Sequence, residues 1–397
     1  MVTYFIGTTN KNPLEYRCNE KIVFSANLYT QDENGEKLAK CPKIKYKLAK
    51  DGYGICDEQL IDGKDSYIEL ETSLDKPGFC YVTLYACDEN GTMLPDNESI
   101  MLSAGVEIEK ITRAGDEPED FDKFWARALK ELDDVTPEVI ADKELTIPEK
   151  DYIARDIQIK CAGKMPSSFI VTYPRDTGEN KKYPIELVFK GHGFYTSHAV
   201  CLKDTIRVEV NAHGYLNLQS EDYYASFAHG ELQNFGFEQN DSPDTCYFKG
   251  MILRDIQALR FAMTLPQWDG KNVASTGGSM GGFQATAVAA LCSQYVTTLT
   301  AYITWMCDIQ GLLLEKRERG WMPDVEKGIL YYDSASFAKR VKCPVSIPLI
   351  GLGDTACTPS GLCAFYNAFN TPKSATFCQG DNHGYGMKRS ESYTIKG

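Results

Sequence analysis

The run Gly277-Gly278-Ser279-Met280-Gly281-Gly282 leaves its backbone few paths. Before it, Lys271-Asn272-Val273-Ala274-Ser275-Thr276 follows an Asp269-Gly270 turn and alternates like a short buried strand. After it, Phe283 to Cys292 is rich in alanine, with Val288 and Leu291 at helical spacing. A strand that turns into a helix through glycine, serine and glycine forms a sharp elbow, which lifts the serine hydroxyl above a parallel sheet. The serine sits there at strained backbone angles, and a Cβ at Gly277 or Gly281 would collide with the neighbouring strand or helix.

A serine presented in this way needs a base, and the chain has five histidines: His192, His198, His213, His229 and His383. On such elbows the acid follows the serine and the histidine comes last, each on a loop after a later strand. Only His383 lies beyond Ser279. It sits in the polar loop Gln379-Gly380-Asp381-Asn382-His383-Gly384, after the strand-like Ser374 to Cys378. Imidazole suits the task because its unperturbed pKa of about 6.5 lets it take and return a proton near neutrality.

The orienting carboxylate is assigned to Asp354. It follows the apolar run Val345 to Gly351, which reads as a strand buried on both faces. Asp308, Asp333 and Asp381 are rivals: Asp381 is too near His383 in sequence to approach it from outside its own loop, and Asp333 reads as a helix N-cap. For the oxyanion of an acyl-transfer intermediate, one donor is the Met280 N–H, directly after the nucleophile. The second is the Phe194 N–H, in Gly191-His192-Gly193-Phe194 after the strand-like Pro184 to Lys190.

Several further stretches carry a likeness: Pro118 to Trp125, Gly191 to Phe194, Tyr247 to Met251 with Arg254-Asp255, Thr304 to Asp308, Tyr331 to Asp333, Phe337 to Val345, and Gly353 to Ser360. Through them the chain, over about residues 118 to 390, resembles carbohydrate esterase family 7, the acetyl xylan esterases and cephalosporin C deacetylases. It departs from the family in having Met280 where glutamine follows the nucleophile, Phe194 for the oxyanion-loop tyrosine, and Asn211-Ala212-His213-Gly214 for an Arg-Gly-Gln. The resemblance implies an α/β-hydrolase fold with a mostly parallel central sheet and a homo-oligomer. It also implies removal of acetyl groups from xylo-oligosaccharides or similar small acetylated compounds, without metal or cofactor. The residues by themselves reach only serine hydrolase. They leave open a broad carboxylesterase or a peptidase on the same fold, and a non-catalytic carbohydrate-binding protein.

The front of the chain is organised differently. Residues 21–29, 43–49, 65–71 and 78–86 are short alternating segments rich in β-formers, punctuated by Asp32-Glu33-Asn34-Gly35, Asp51-Gly52, Lys76-Pro77-Gly78 and Asp88-Glu89-Asn90-Gly91. They point to an all-β, immunoglobulin-like sandwich over 1–109, a linker over 110–118 and the catalytic unit over 119–397. The sandwich reads as a packing domain or as a carbohydrate-binding or gating module. Just after the linker, Phe121, Phe124, Trp125, Ala128, Leu129 and Leu132 form one apolar helix face, which makes Trp125 a core residue. Residues 151–160 and 169–173 read as the outer strands that open the large sheet.

A net charge of −13 over 397 residues repels nucleic acid and anionic membranes, so neither is a partner; a neutral sugar ester is indifferent to it. The fourteen cysteines are scattered singly, without metal-ligand spacing. They read as buried thiols in a reducing compartment, hence a cytoplasmic protein, the alternative being a secreted one whose leader has been removed. Tyr195 and Trp305, on a loop and a strand end above the sheet, are the candidate substrate contacts. Residues 220–246 form a long insertion placed to cover the site.

Overall fold

The computed structural model describes residues 2–33, 35–175, 180–384 and 391–397. Nine strands build the front of the chain: β1 (Val2–Thr9), β2 (Ile22–Asp32), β3 (Gly35–Leu38), β4 (Lys43–Lys50), β5 (Gly54–Asp62), β6 (Tyr67–Thr72), β7 (Gly78–Cys87), β8 (Asn97–Glu98) and β9 (Ile100–Val106). One sheet runs β3-β2-β1-β8, with β6 also on β2; the other runs β5-β4-β7-β9. Because side chains alternate across a strand, each sheet turns one apolar row inward. Phe5, Phe24 and Leu28 from the first sheet meet Ile44, Leu48, Val82 and Leu102 from the second in one buried core.

The four segments read as strands correspond to β2, β4, β6 and β7. β1, β5 and β9 went unread. β5 is exposed along most of its length, so it shows no apolar alternation to find. Asn34, in one expected turn, and residues 385–390, at the end of the expected likeness, lie outside the described residues.

The second part is a mixed α/β fold around a large, mostly parallel sheet. Its strands are β10 (Val139–Leu145), β11 (Tyr152–Ile159), β12 (Ser167–Pro174), β13 (Tyr183–Phe189), β14 (Ile206–Asn211), β15 (Trp268–Gly278), β16 (Thr298–Tyr302), β17 (Val345–Gly351), β18 (Lys373–Gln379) and β19 (Glu391–Lys396). They lie in the order β10-β11-β12-β14-β13-β15-β16-β17-β18-β19. The pairs from β14 to β18 are parallel, and both flanks are antiparallel. The expectation that residues 151–160 open the sheet is corrected by β10, which lies outside β11; its mostly exposed side chains carry no strand pattern.

Among the described residues seven α-helices accompany this sheet: α1 (Phe121–Asp133), α2 (Glu221–Ala228), α3 (Tyr247–Ala262), α4 (Met280–Leu291), α5 (Gly311–Glu315), α6 (Ser334–Ala338) and α7 (Pro359–Ala368). α1 buries Phe121, Phe124, Trp125, Ala128 and Leu132. Trp125 packs edge-on against Tyr332 and Phe337, and its Nε1 donates to the Tyr331 carbonyl at 3.2 Å, so it is core as expected. All fourteen cysteines are free thiols and eleven of them are buried, Cys307, Cys343 and Cys378 among them. Among the described residues no helix is long and apolar enough to cross a membrane.

The outer face of the β5-β4-β7-β9 sheet rests on the carboxyl ends of β17 and β18. The Ser103 N–H donates to Gln379 Oε1 at 3.1 Å, Gln379 Nε2 donates to the Ser103 carbonyl at 2.8 Å, and Ser103 Oγ donates to the Leu352 carbonyl. Asp51, only 2% exposed, makes a second tie. Its carboxylate accepts from the Phe79 N–H (2.9 Å) in the sandwich, and from Ser360 Oγ (2.7 Å) and the Glu318 N–H (3.2 Å) in the α/β part. Burial pushes this carboxyl up from its ordinary range, against the pull of those donors. Ala49, Phe79 and Tyr81 on the same sheet face join the hydrophobic core of the α/β part.

Candidate active site

Ser279 stands between β15 and α4 at φ 56° and ψ −124°, a strained conformation held by its neighbours. Its N–H donates to the Tyr302 carbonyl at 3.1 Å, and its own carbonyl accepts from the Trp305 N–H at 3.0 Å. Glycine is required on both sides. A Cβ on Gly277 would lie 2.2 Å from the Gly281 carbonyl oxygen, and one on Gly281 would lie 2.2 Å from the carbonyl oxygen of Phe189 at the end of β13. The close approach of α4 to the sheet, anticipated from spacing alone, is therefore backbone on backbone.

His383 and Asp354 arrive from the loops after β18 and β17. The two loops touch: the Gly353 N–H donates to the Asp381 carbonyl at 2.8 Å, and the Leu352 N–H to the Cys378 carbonyl at 2.9 Å. Asp354 is fully buried; its Oδ1 accepts the Ala356 and Cys357 N–H groups, both at 2.8 Å. Its Oδ2 lies 2.8 Å from His383 Nδ1, and His383 Nε2 lies 3.0 Å from Ser279 Oγ. A carboxylate only accepts, so Nδ1 carries the hydrogen and Nε2 is left to accept from the serine. The geometry thus brings together the three residues singled out in the sequence, in the tautomer a general base needs.

The rivals do structural work. Asp333 caps α6 through the Ala335 N–H (2.8 Å), accepts the Ile309 N–H (2.9 Å), and pairs with the buried Arg113 guanidinium at 3.1 Å. Asp308 pairs with Arg317 and accepts the Ala114 N–H at 2.6 Å. Together they hold the strand end after β16, whose Trp305 N–H secures the Ser279 carbonyl.

The Gly191–Phe194 loop is braced by His213, a contact the sequence did not reveal. Its Nδ1 lies 2.6 Å from the Tyr247 hydroxyl and its Nε2 3.0 Å from the Gly193 carbonyl, so Nε2 carries the hydrogen. That carbonyl and the Phe194 N–H belong to one planar peptide, so holding the oxygen toward His213 turns the N–H the other way. The Phe194 ring stacks on His213 at 4.8 Å. Gly191 lies against Ser279: a Cβ placed there would lie 3.9 Å from Ser279 Cβ. Burial pushes His213 down to about 3 and His192 down to about 4, so both are neutral rings.

Of the candidate substrate contacts, Tyr195 is 54% exposed and lines a cavity of about 660 Å³ together with Phe194, His198 and Tyr224. Trp305 is only 1% exposed. It lies beneath Trp321, the rings stacking at 5.3 Å, and Phe248 meets it edge-on. Trp321, 45% exposed and 4.7 Å from His192, is the aromatic face nearer the opening. The acid loop fixes it, since the Trp321 N–H donates to the Ala356 carbonyl at 2.9 Å. The insertion contains α2 and sends Phe235 and Phe237 against His192, so it covers this side of the site.

Asp354, Cys357 and His383 place ligand-type atoms within 4.8 Å of one another. Asp354 and His383 are already committed to each other, and burial pushes the Cys357 thiol well above its ordinary range. A protonated thiol is a poor nucleophile.

The chain matches the family model for acetyl xylan esterase (AXE1) over residues 104–318 and 316–396. The acetyl esterase Axe7A of Xylanibacter ruminicola is 27% identical over 284 residues, which take in 67% of this chain and 63% of that protein. Just under two thirds of that relative's length is therefore matched. Among solved structures, an acetyl xylan esterase from Paenibacillus sp. R4 aligns with a TM-score of 0.58 at 20% identity, over 70% of this chain and 94% of its own. Acetyl xylan esterase 1 from Thermoanaerobacterium sp. JW/SL YS485 aligns with a TM-score of 0.53 at 21% identity, over 70% and 93%. At these identities the structural likeness is one of fold.

Proposed function

The chain belongs to the acetyl xylan esterase family, and from that premise we propose that it is a serine esterase removing acetyl groups from acetylated xylo-oligosaccharides or similar small acetylated compounds. The observation that carries this reading is the continuous contact from Asp354 Oδ2 through His383 to Ser279 Oγ, at 2.8 and 3.0 Å. Ser279 Oγ attacks the acetyl carbonyl carbon while His383 Nε2 takes its proton. The negative charge gathering on the carbonyl oxygen is met by the Met280 and Phe194 N–H groups, each such donor contributing about 3 to 4 kcal/mol at the transition state. Collapse breaks the bond to the sugar oxygen, which leaves with the proton from His383. Water then enters by the same route in reverse: His383 takes its proton, the hydroxide oxygen attacks the acetyl-serine, and acetate departs as Ser279 recovers its hydrogen.

The same proposal takes the front sandwich, 1–109, as immunoglobulin-like, joined by 110–118 to the catalytic unit 119–397. Two packed sheets, antiparallel except for the short β1–β8 pair and ending at Val106, support that division. Tyr195, and Trp321 backed by Trp305, wall the acyl and sugar sites. Fourteen free thiols favour a cytoplasmic setting; assembly as a homo-oligomer is carried over from the family resemblance alone.

Acetate release from acetylated xylo-oligosaccharide, measured beside hydrolysis of p-nitrophenyl acetate and of a long-chain ester, tests the function. Rapid release confined to short acyl groups is expected; hydrolysis of long esters or peptides alone would overturn it. The pH profile tests the base. His383 works only when neutral, so kcat/KM should fall as pH falls. His192 and His213, held down at about 4 and about 3, stay neutral above about pH 5 and add nothing there. A kcat/KM that does not fall with pH would count against His383 as base.

A further inference from the structure

A groove leads away from the two catalytic loops along the outer face of the β5-β4-β7-β9 sheet. Its inner part is a cavity of about 380 Å³, bounded by Gly353 and Thr355 on either side of the acid and by Asp381 and Asn382 just before the base. Its far wall is the sandwich, with Lys47, Thr83 and Tyr85 pointing out of the sheet. An outer cavity of about 300 Å³ continues past the same Lys47 and Tyr85 to Glu58 and Met93. The two are thus one elongated depression that begins at the carboxyl ends of β17 and β18, where open α/β sheets take their ligands.

Its chemistry is that of a hydroxyl-rich chain. The half-buried Tyr85 offers ring and hydroxyl, Lys47 and Thr83 donate, and Thr355 and Asn382 can do both. The mixed lining, with Lys47 set among Glu318 and Asp381, favours a neutral ligand over an ionic one. The Ser103 and Asp51 ties fix this wall against the catalytic loops, so the groove is preformed.

We propose that the groove between sandwich and catalytic loops is a saccharide-binding subsite, holding the xylose units beyond the one whose acetyl ester is cleaved. The proposal rests on the esterase reading above and gives the sandwich a share in substrate choice. Nearly all of the sandwich lies outside the part of the chain that matches the family, which begins at residue 104.

The test uses the full chain and the variants Tyr85→Ala and Lys47→Ala, whose side chains lie on the sheet's outer face. With acetylated xylotetraose, each variant should raise KM roughly tenfold at unchanged kcat, as expected for loss of one good contact to bound sugar. With p-nitrophenyl acetate, too short to reach the groove, both should match the wild type, which also shows that they fold. In parallel, calorimetry of unacetylated xylotetraose with Ser279→Ala should detect binding that Tyr85→Ala in that background weakens by the same factor. Equal KM for wild type and both variants on the oligosaccharide, or xylotetraose binding indifferent to Tyr85, would overturn the subsite. Failure of the esterase reading looks different: the wild type would hydrolyse neither ester, while the calorimetry would still report on the groove.

Discussion

Ser279→Ala should lower kcat by a factor on the order of 10⁴ to 10⁶. The melting temperature should stay within a few degrees of wild type. The loss is large because Oγ is both the attacking atom and the proton donor to His383 Nε2 at 3.0 Å; without it the remaining groups bind substrate and an oxyanion but form no acyl-enzyme. Stability changes little because alanine occupies the same left-handed φ of 56° at similar strain, and losing the side-chain hydrogen bond to His383 costs little. Steady-state kinetics on p-nitrophenyl acetate with a thermal melt would check both halves. A variant retaining even a tenth of the activity would end the serine mechanism.

Gly281→Ala should be among the most damaging single methyl additions at the described glycines. The added Cβ meets Phe189 O at 2.2 Å, Phe189 C at 2.7 Å and Lys190 C at 3.0 Å, all backbone atoms with no rotamer by which to yield. Either α4 is pushed off the sheet or β13 bends, and both disturb the elbow and the loop that carries Phe194. We expect a destabilisation of about 3 to 5 kcal/mol, read as a fall in melting temperature of roughly 10 °C, with activity lost in the soluble fraction. Gly270→Ala is the control: its φ of +74° makes alanine strained, but no heavy atom lies within 4 Å of the new Cβ. Its cost should be only about 1 to 2 kcal/mol. Equal losses in the two variants would show that the backbone collision at Gly281 costs no more than a single strained φ.

What could be read ahead of the structure was what depends on local chemistry. The elbow announces itself because glycine spacing is dictated by two backbones that touch, and β17 shows as an apolar run shortly before Asp354, although its Pro348 is exposed rather than buried as a strand covered on both faces would require. Edge strands such as β5 and β10 were missed because exposed side chains leave no period to find. The site's supports were missed for another reason. His213 braces Gly193 from twenty residues away, Asp51 reaches Ser360 across 309 positions, and Ser103 meets Gln379 across 276. No spacing rule joins such pairs. The exchange between Trp305 and Trp321 is of the same kind: which of two stacked indoles faces solvent is set by the chain folding over them, not by either residue's neighbours. Cys357 shows the converse, a reactive residue type placed beside Asp354 and His383 whose thiol pKa burial pushes up.

The central claim is that an acetyl group passes through Ser279 on its way to water. Rapid acid quench of the wild-type protein during turnover of p-nitrophenyl acetate, followed by proteolysis and mass spectrometry, tests it most directly. The account predicts one acetyl group on the peptide containing Ser279, gained within the burst of the first turnover and lost on standing. An acetyl group trapped instead on Cys357, or no covalent acetyl at all while acetate is released, would contradict it.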